Sequence, residues 1–342
     1  MLSNELTIIV VTYNSMDILP HFLVHLKNAL QDEQCEIIIS DNCSSDDIQN
    51  YINRYHPDVH LVKLNENMGY GAALNEGIKI AKTPYVALMN PDVIVEPGGF
   101  NELIIFLKEH PEAAAVSGLI AHCTEIPKSL TINSLFPDKK VAANIKYENL
   151  FSRIVYYTGL RYKLPKAKFL KSWKMVEIKD HIEVSRIEGS FGIFRREALL
   201  KAGLFDPRLF LYWEEDDIAI RLKKLNYKIY LTKRAIIAHL QGKGSNLSKS
   251  IVTEKILLNS IYLFFRKYYG LAYAWISFFT IWTIISIVLL SKILLKKDRY
   301  TLMELWKWHF YSLLLKGKTP KNTIPNNSSI NYDWSTKIKT NN

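Results

Sequence analysis

Short runs of consecutive apolar residues alternate, over the first 120 residues, with stretches in which apolar residues recur every three or four positions. The uninterrupted runs are typical of strands buried on both faces of a parallel sheet, and the three-to-four spacing indicates amphipathic helices. Strands are predicted at residues 6–12, 36–40, 59–64, 85–89 and 113–121. Helices are predicted at residues 16–30, 48–55 and 100–110, and in a segment that ends at Ala81. This alternation predicts an α/β fold with a mostly parallel sheet flanked by helices.

Two of the predicted strands are followed by a carboxylate. Asp41 follows the second strand, and Asp92 follows the strand at residues 85–89 after Asn90 and Pro91. Proline ends a strand because it lacks a backbone donor, so Asp92 lies just past the carboxyl end, where ligands bind in open α/β sheets. Asp92 beside Asn90 suits a hard divalent cation that also holds phosphate oxygens. Asp41 could accept a hydrogen bond from N3–H of a pyrimidine base, although a capped polar turn is the alternative at both positions.

Glycine and asparagine punctuate residues 67–77, which are predicted to form a loop that leads into the helix ending at Ala81. The loop contains G-x-G rather than G-x-G-x-x-G and follows the third strand rather than the first. It therefore departs from the dinucleotide-binding fingerprint. Its glycines would still let the backbone approach a ribose or a diphosphate closely.

Positive charge is concentrated in two regions of a chain whose net charge is +11. Residues 139–179 hold eleven Lys and Arg against two Glu, and residues 260–342 hold twelve against three acids. The first region lies within residues 122–180, a basic and aromatic stretch that we interpret as an insertion over the acceptor side of the crevice. A solvated connecting segment is the alternative. Such patches suit an anionic membrane surface. The sequence carries no helix-turn-helix, zinc-finger or RNA-binding signature, so nucleic acid is not an expected partner.

The composition becomes strongly apolar after Ser250. Residues 268–291 contain no charged residue and match the ~20 residues that a membrane-spanning helix requires. Both flanks are basic, so a single span would place one of them outside, against the positive-inside tendency. A cytosolic-face helix or a re-entrant hairpin is therefore favoured over a true span. We expect a catalytic domain over residues 1–250 and a membrane-associated region over residues 251–342 with a disordered polar tail.

Four motifs occur in order along the first hundred residues: V-V-T-Y-N at 10–14, D-N-C-S-S-D-D at 41–47, N-M-G-Y-G-A-A-L-N-E-G at 67–77 and N-P-D at 90–92. This ordered set resembles the family 2 glycosyltransferases, and within them most of all the bacterial rhamnosyltransferases of O-antigen and capsule assembly. The resemblance covers roughly residues 5–250. It implies the Rossmann-like GT-A fold, a nucleotide-diphosphate sugar donor and a Mg²⁺ or Mn²⁺ ion.

The resemblance also implies roles for individual residues. Thr12, Tyr13 and Asp41 would hold the base and ribose, and Asp92 would ligate the metal. The family often has Asp-x-Asp, and Asn90 stands here in place of the first acid. The other predicted nucleotide-sugar-binding residues are Asn14, Asn67, Gly69, Tyr70, Gly71, Asn75 and Asn90. His239 follows the predicted strand at 227–231 and would complete the metal site or contact the diphosphate, although a histidine after an apolar run can also be structural.

A second constellation, F-L-Y-W-E-E-D-D-I-A-I-R at 210–221, matches the family's aromatic-x-Tyr-x-Glu-Asp-x-Asp-Leu-x-x-Arg. Glu215 occupies the family's base position, where Asp is usual, and Glu214 or Asp216 is the local rival. Asp217 is a further catalytic candidate, and it is predicted to pair with Arg221 one helical turn away. Inverting sugar transfer needs a base for the acceptor hydroxyl, and crowded carboxylates raise one another's pKa, which suits a base. An acidic first turn that complements a helix dipole is the alternative.

These expectations describe a metal-dependent, inverting glycosyltransferase on the cytoplasmic face of the inner or plasma membrane. The expected donor is dTDP-L-rhamnose, and the expected acceptor is a lipid-linked saccharide of surface polysaccharide synthesis. A UDP-hexose, N-acetylhexosamine or galactofuranose donor is the alternative within this class. A sugar nucleotidyltransferase would be expected to carry a glycine-rich, Lys- or Arg-bearing loop after the first strand, where T-Y-N-S stands at 12–15. A non-catalytic carbohydrate- or membrane-binding module is the third option.

Overall fold

The computed structural model describes residues 2–31, 33–147, 149–158, 173–240 and 251–294, together with Met303, Trp306 and Lys307. After a short 3-10 turn at Leu2–Asn4, the strands are β1 (Leu6–Thr12), β2 (Glu36–Asp41), β3 (His60–Lys63), β4 (Tyr85–Met89), β5 (Val93–Val95), β6 (Ala113–Cys123), β7 (Lys140–Asn144), β8 (Trp173–Glu177), β9 (His181–Glu183), β10 (Phe191–Arg195) and β11 (Lys228–Leu240). The helices are α1 (Leu19–Leu30), α2 (Ile48–Tyr55), α3 (Tyr70–Ile80), α4 (Gly99–Glu109), α5 (Ile132–Leu135), α6 (Leu150–Tyr157), α7 (Arg196–Lys201), α8 (Glu214–Lys224) and α9 (Ile251–Leu294).

A nine-stranded sheet with the order β3-β2-β1-β4-β10-β6-β11-β5, and β9 on β11, forms the centre of the described part of the chain. The predicted parallel pairing holds from β3 through β2 and β1 to β4. The second half is mixed, because β10 runs antiparallel to both β4 and β6, whereas β6 and β11 are parallel.

The sheet curls, and the connection from β4 to β5 shows why. Three residues, Asn90 to Asp92, join these strands, which gives a reach of roughly 10–14 Å. In the sheet order β5 lies four places from β4, about 19 Å in a flat sheet. The far edge must therefore bend back toward the end of β4. This bend brings the carboxyl ends of β6 and β11 beside Asp92.

Both faces of the sheet are covered, as the uninterrupted apolar strands predict. All seven residues of β1 are buried. One face packs against α1 and α4 through residues such as Phe22 and Phe100. The opposite face packs against α3 and α8 through residues such as Ile78 and Leu222.

The predicted elements are found within a few residues of their expected positions, with two exceptions. The strand expected at 227–231 is β11, which continues to Leu240, so His239 lies within the strand rather than after it. Residues 67–77 were expected to be a loop, but α3 already begins at Tyr70. Gly69 precedes it with φ +87°, a left-handed conformation that favours glycine. The small residues of the first turns serve packing rather than a turn, because a Cβ on Gly71 would come within 2.9 Å of the Phe205 side chain. The N-cap of α2 is Asp47, and its side chain makes no cap hydrogen bond.

Residues 122–180, the expected insertion, contain secondary structure of their own. β7 and β8 form a separate antiparallel two-stranded sheet. In the chain α5 precedes β7, and α6 lies between β7 and β8. Both helices are capped by side chains, Thr131 for α5 and Asn149 for α6. Residues 159–172 lie outside the described part, so the placement of this region over the acceptor side stays a prediction.

The described part of the C-terminal region, Ile251–Leu294, consists of two helical segments that meet at a kink at Gly270 (φ 85°, ψ 172°), and both are labelled α9. Residues 255–291 are long and apolar enough to cross a membrane by length and composition, and 33% of the most apolar window is buried. Trp306 donates from Nε1 to Ser286 Oγ at 2.8 Å and stacks on Trp282. The chain is therefore back beside α9 at residue 306, as a hairpin requires. The tail predicted to be disordered lies outside the described residues.

Candidate active site

The first group of predicted residues lies where β1 and β2 end. Thr12 and Asp41 are paired across these parallel strands and are fully buried. Asp41 Oδ1 accepts a hydrogen bond from Thr12 Oγ1 at 3.2 Å, and Asp41 Oδ2 accepts from the Ser44 backbone N–H at 3.2 Å. The carboxylate therefore fixes the turn after β2. Direct contact between Asp41 and a base stays a prediction.

The neighbouring loops present side chains at the same edge of the sheet. Asn14 has a left-handed backbone (φ 50°), and its Oδ1 accepts from the Ser45 backbone N–H at 2.8 Å. Asn67 Oδ1 accepts from Asn42 Nδ2 at 2.7 Å and from the Gly69 backbone N–H at 3.0 Å. Tyr13 is partly exposed beside them. Local hydrogen bonds thus order a rim around the ends of β1 and β2, which suits the binding of a polar ligand.

Three of the predicted donor-binding residues make contacts inside the protein. A Cβ on Gly69 would come within 2.2 Å of the Phe210 carbonyl oxygen, so its close approach is to protein backbone. Gly71 packs against Phe205. Asn75 is buried and exchanges two hydrogen bonds with the Phe205 backbone, at 2.8 and 2.9 Å. These contacts favour structural roles for Gly69, Gly71 and Asn75, and their assignment to the donor stays a prediction.

Asp92 and His239, the predicted metal ligands, lie next to each other. Asp92 is 4% exposed, and its Oδ2 lies 3.5 Å from His239 Nε2. The backbone holds them together, because the Leu240 N–H donates to the Asp92 carbonyl oxygen at 2.9 Å. His239 Nδ1 is buried with no hydrogen-bond partner among the described residues. Asn90 is partly exposed at the start of this connection, and its N–H donates to the Ser190 carbonyl oxygen at 2.9 Å.

Two further side chains complete this group, and the sequence analysis missed both. His122, near the end of β6, lies opposite His239 of β11 in the parallel register. Glu188 lies just before β10, and its Oε1 accepts a hydrogen bond from His122 Nε2 at 3.1 Å. The ligand atoms of His122, Glu188 and His239 all lie within 4.8 Å of one another. Imidazole and carboxylate donors are ligands of divalent metals, so the residues present fit such an ion.

Charge interactions within this cluster shift two pKa values. The hydrogen bond to Glu188 raises the pKa of His122. Burial alone would raise the pKa of Glu188, but the hydrogen bond and charge of His122 outweigh it and lower the pKa overall. Polar residues at the ends of predicted strands were the available signal for His122. No local pattern marks Glu188.

The acidic run begins at a turn with unusual backbone conformations. Tyr212 and Trp213 both have left-handed φ values, 67° and 72°, and α8 starts directly at Glu214. Glu214 is 2% exposed. Burial raises its pKa well above the usual value, and the charge of Glu215 adds to this. Glu214 Oε2 has no hydrogen-bond partner within the described part of the chain.

Glu215 is partly exposed and lies against the backbone of the segment before β10. A Cβ on Gly189 would come within 2.4 Å of Glu215 Oε1. Burial raises the pKa of Glu215, and the neighbouring Arg186 offsets part of this shift. The carboxylate lines a small cavity whose other polar walls are Tyr70, Arg186 and Glu188.

Asp216 and Asp217 are both engaged in ion pairs. Asp216 Oδ2 accepts from Arg186 Nε at 3.0 Å. Asp217 is fully buried and pairs with Arg221, as predicted, at 2.9 Å from Arg221 Nε. It also contacts two residues of α9, Lys267 Nζ at 2.5 Å and the Tyr268 hydroxyl at 2.7 Å. The catalytic assignment of Asp217 stays a prediction, and these partners favour a structural role.

Tyr70 connects the acidic run to the metal-ligand group. Its hydroxyl donates to the Gly189 carbonyl oxygen at 2.6 Å. Burial raises the pKa of this hydroxyl well above its usual value. Three neighbouring carboxylates add to the shift: Glu214, Glu215 and Asp92. The predicted base and the predicted metal ligand therefore both lie near one tyrosine.

Comparisons with known proteins agree with the resemblance found in the sequence motifs. The family model "Glycosyl transferase family 2" matches residues 7–199. The N-acetylglucosaminyl-diphospho-decaprenol L-rhamnosyltransferase of Mycobacterium tuberculosis (strain ATCC 25618 / H37Rv) is 25% identical over 251 residues, 70% of this chain and 77% of that protein. The galactofuranosyl glycosyltransferase of Leishmania donovani is 21% identical over 226 residues, 63% of this chain and 50% of that protein. The poly-beta-1,6-N-acetyl-D-glucosamine synthase of Staphylococcus aureus (strain MSSA476) is 35% identical over 115 residues, 33% of this chain and 28% of that protein.

Among solved structures, GalNAc-T7 with UDP, GalNAc and Mn²⁺ is similar with a TM-score of 0.54. The sequence identity is 14%, and the match covers 93% of this chain and 58% of that one. At this identity the likeness shows the fold alone. The expected GT-A fold is confirmed, and so is the resemblance to family 2 glycosyltransferases such as the rhamnosyltransferases.

Proposed function

Because the chain belongs to glycosyl transferase family 2, we propose that it is a metal-dependent, inverting glycosyltransferase that moves one sugar from a nucleotide-diphosphate donor to a lipid-linked saccharide. The proposed donor is dTDP-L-rhamnose. The similarity to an L-rhamnosyltransferase acting on a decaprenol-linked sugar, over 70% of this chain, supports the rhamnosyl group and the acceptor class. UDP-hexose, N-acetylhexosamine and galactofuranose donors are the alternatives, and similarity to the galactofuranosyl and poly-N-acetylglucosamine enzymes supports them.

The observation that carries this proposal is that the four consecutive acids differ in their ion pairs and in their burial. Asp216 and Asp217 are held in ion pairs. Glu214 is buried, and its raised pKa favours the protonated form, so it is poorly placed to accept a proton from an acceptor. Glu215 remains, partly exposed on the cavity that it shares with Tyr70. A partly desolvated carboxylate with a raised pKa has the properties of a general base.

In the proposed reaction Glu215 takes the proton of the acceptor hydroxyl. The acceptor oxygen forms a bond to the anomeric carbon while the bond from that carbon to the diphosphate oxygen breaks on the opposite face. The configuration therefore inverts, and the nucleoside diphosphate leaves with the bonding electrons. A divalent cation, when bound, supplies charge neutralisation at the leaving diphosphate.

The distance between the two ends of the site suits one nucleotide. Asp41 ends β2 and Asp92 follows β4, and β1 lies between these strands. Two strand spacings amount to about 10 Å, which is about the reach from a base to the diphosphate of the same nucleotide. We therefore place the base and ribose beside Thr12, Tyr13 and Asp41. Asp92 and His239 would hold Mg²⁺ or Mn²⁺ at the diphosphate.

We place the enzyme on the cytoplasmic face of the membrane through α9. Large apolar side chains on the second part of this helix are exposed, at spacings of three, five or eight residues: Leu271, Ile276, Phe279, Ile287 and Leu290. An exposed apolar stripe of this length marks an interaction surface rather than ordinary protein surface. The return of the chain at Trp306 favours an interfacial hairpin over a single span.

The test compares two neighbouring carboxamide variants with a panel of nucleotide sugars and membrane lipid extract as acceptor. Removing a general base costs ~10²–10⁴-fold in rate. We expect Glu215→Gln to lower kcat by about this factor with donor affinity nearly unchanged. Glu214→Gln should have a smaller effect. If Glu214→Gln is the inactive variant and Glu215→Gln is not, the base assignment is wrong. If the protein neither hydrolyses nor transfers sugar from any nucleotide sugar of the panel, the result would argue for the nucleotidyltransferase or binding-module alternative.

A further inference from the structure

His122 and Glu188 lie beside the proposed metal ligands, although neither belongs to the motifs that suggested a metal. We propose that they are ligands of the same cation, so that four side chains, Asp92, His122, Glu188 and His239, form a site with two imidazole and two carboxylate donors that prefers Mn²⁺ to Mg²⁺. The inference rests on the proposed function for the presence of a cation. It adds the ligand set and the selectivity.

The topology of the sheet brings the two histidines together. β6 and β11 are parallel, and His122 and His239 are register partners near the carboxyl ends of these strands. Partners in adjacent strands point to the same face of a sheet, and the two ring centroids are 5.4 Å apart. The curl of the sheet then places the β4–β5 connection, with Asp92, on the other side of His239.

Glu188 is the fourth member of the group, and it lies just before β10, the strand between β4 and β6. It precedes β10, which pairs with both of these strands, and its carboxylate reaches His122 at 3.1 Å. The ligand atoms of three members lie within 4.8 Å of one another. Ligands bound to one metal at ~2.1–2.2 Å lie at most ~4.4 Å apart, so small side-chain rotations would bring these atoms to coordinating distance.

An ion pair alone would explain the contact between His122 and Glu188, but it would not explain His239. The Nδ1 atom of His239 is buried and has no hydrogen-bond partner in the part of the chain that the structure describes. Buried polar atoms without partners are rare in folded proteins. A cation bound by this imidazole, at either ring nitrogen once the ring is reoriented, would account for the position of His239.

The donor set determines the expected selectivity. Mg²⁺ prefers oxygen ligands and keeps several waters, whereas imidazole suits the later first-row metals. Two imidazoles and two carboxylates therefore favour Mn²⁺ over Mg²⁺. A site built from Asp92 and His239 alone would contain one imidazole, so its preference for Mn²⁺ would be weaker.

The experiment is calorimetric titration of the full chain in detergent with MnCl₂ or MgCl₂, without nucleotide. His122 and Glu188 are 36% and 37% exposed, so His122→Asn and Glu188→Gln are compatible with folding. His110→Asn is the matched control, because His110 pairs with Glu112 at the same distance, 3.1 Å, at the other end of β6. Pulsed electron paramagnetic resonance of bound Mn²⁺ gives a second readout through its coupling to imidazole nitrogen.

We expect the wild type to bind Mn²⁺ at least tenfold more tightly than Mg²⁺. Each test variant should weaken Mn²⁺ binding about 10–100-fold, and His122→Asn should also reduce the nitrogen coupling. The control should match the wild type. Equal affinity of the wild type for both ions, or unchanged Mn²⁺ binding and nitrogen coupling in His122→Asn, would overturn the inference. Neither result would contradict the proposed transferase activity. If the metal binds as expected but no sugar is transferred, only the proposed function would be overturned.

Discussion

Asp217 allows a direct test of whether the fourth acid of the run acts in chemistry or in structure. Its carboxylate is fully buried and contacts Arg221 within α8, and Lys267 and Tyr268 on α9. Asp217→Asn keeps the shape but removes the charge. Arg221 then loses this counter-ion, while Lys267 keeps its contact with Asp206 at 2.7 Å. Breaking a buried pair in this way costs about 3–5 kcal/mol. Arg221 and Lys267 are 18% and 27% exposed, so water relieves part of this loss and we expect about 3 kcal/mol.

The assay is guanidinium unfolding of the full chain in detergent, together with kcat at a temperature at which both proteins are folded. We expect the free energy of unfolding to fall by about 3 kcal/mol and kcat to change only slightly. Glu197→Gln is the control, because Glu197 and Lys201 form an ion pair of the same spacing on the surface. Exposed pairs of this spacing contribute about 0.3–0.5 kcal/mol. Near-wild-type stability of Asp217→Asn with a large loss of kcat would refute the structural reasoning and return Asp217 to the catalytic residues.

Two further predictions concern pH and membrane binding. Burial raises the pKa of Glu96 to about 7, so the folded state favours its protonated form, and this contribution to stability is lost as the pH rises from about 4.5 through 7. Glu96→Gln should therefore unfold at a higher temperature than the wild type at pH 8 and at a similar temperature at pH 5; equal differences at both values would contradict the assignment. The full chain should sediment with membranes and be released by detergent, and a fragment of residues 1–250 should not sediment with them. A full chain that stays soluble without detergent would identify α9 as a core helix.

The elements of the sheet were predictable because burial on both faces leaves a simple trace in sequence. β1 and β4 coincide with the predicted strands, since every residue of both is buried. α3 was missed at its start because Gly69 and Gly71 resemble loop residues. Glycine is required at these two positions because the Phe210 carbonyl and the Phe205 side chain leave no room for a Cβ atom. Both residues lie more than 130 positions further along the chain. Pattern analysis cannot detect such a partner.

Some residues of the candidate site were likewise predictable from the sequence, and others were not. Asp92 was predictable because Pro91 ends a strand and leaves a carboxylate at its carboxyl end. Glu188 was not, because its position depends on β10 lying between β4 and β6. The engagement of Asp217 likewise depends on Lys267 and Tyr268, some fifty residues later. Motif spacing identified the acidic run, but only the fold distinguishes its four members.

The packing of α9 indicates why the apolar C-terminal helix and the acidic run belong to one unit. A left-handed residue other than glycine costs roughly 1–2 kcal/mol, and two of them, Tyr212 and Trp213, precede Glu214. Contacts with α9 offset this strain: Trp213 is 4% exposed, with its ring 4.5 Å from Phe264, and Ser260 Oγ donates to the Leu211 carbonyl oxygen at 2.9 Å. The first part of α9 therefore stabilises the turn that presents Glu215, while its second part exposes the apolar stripe. A fragment that ends at residue 250 loses the support of this turn together with the membrane surface, so low activity in such a fragment reflects the position of the base as well as access to a lipid acceptor.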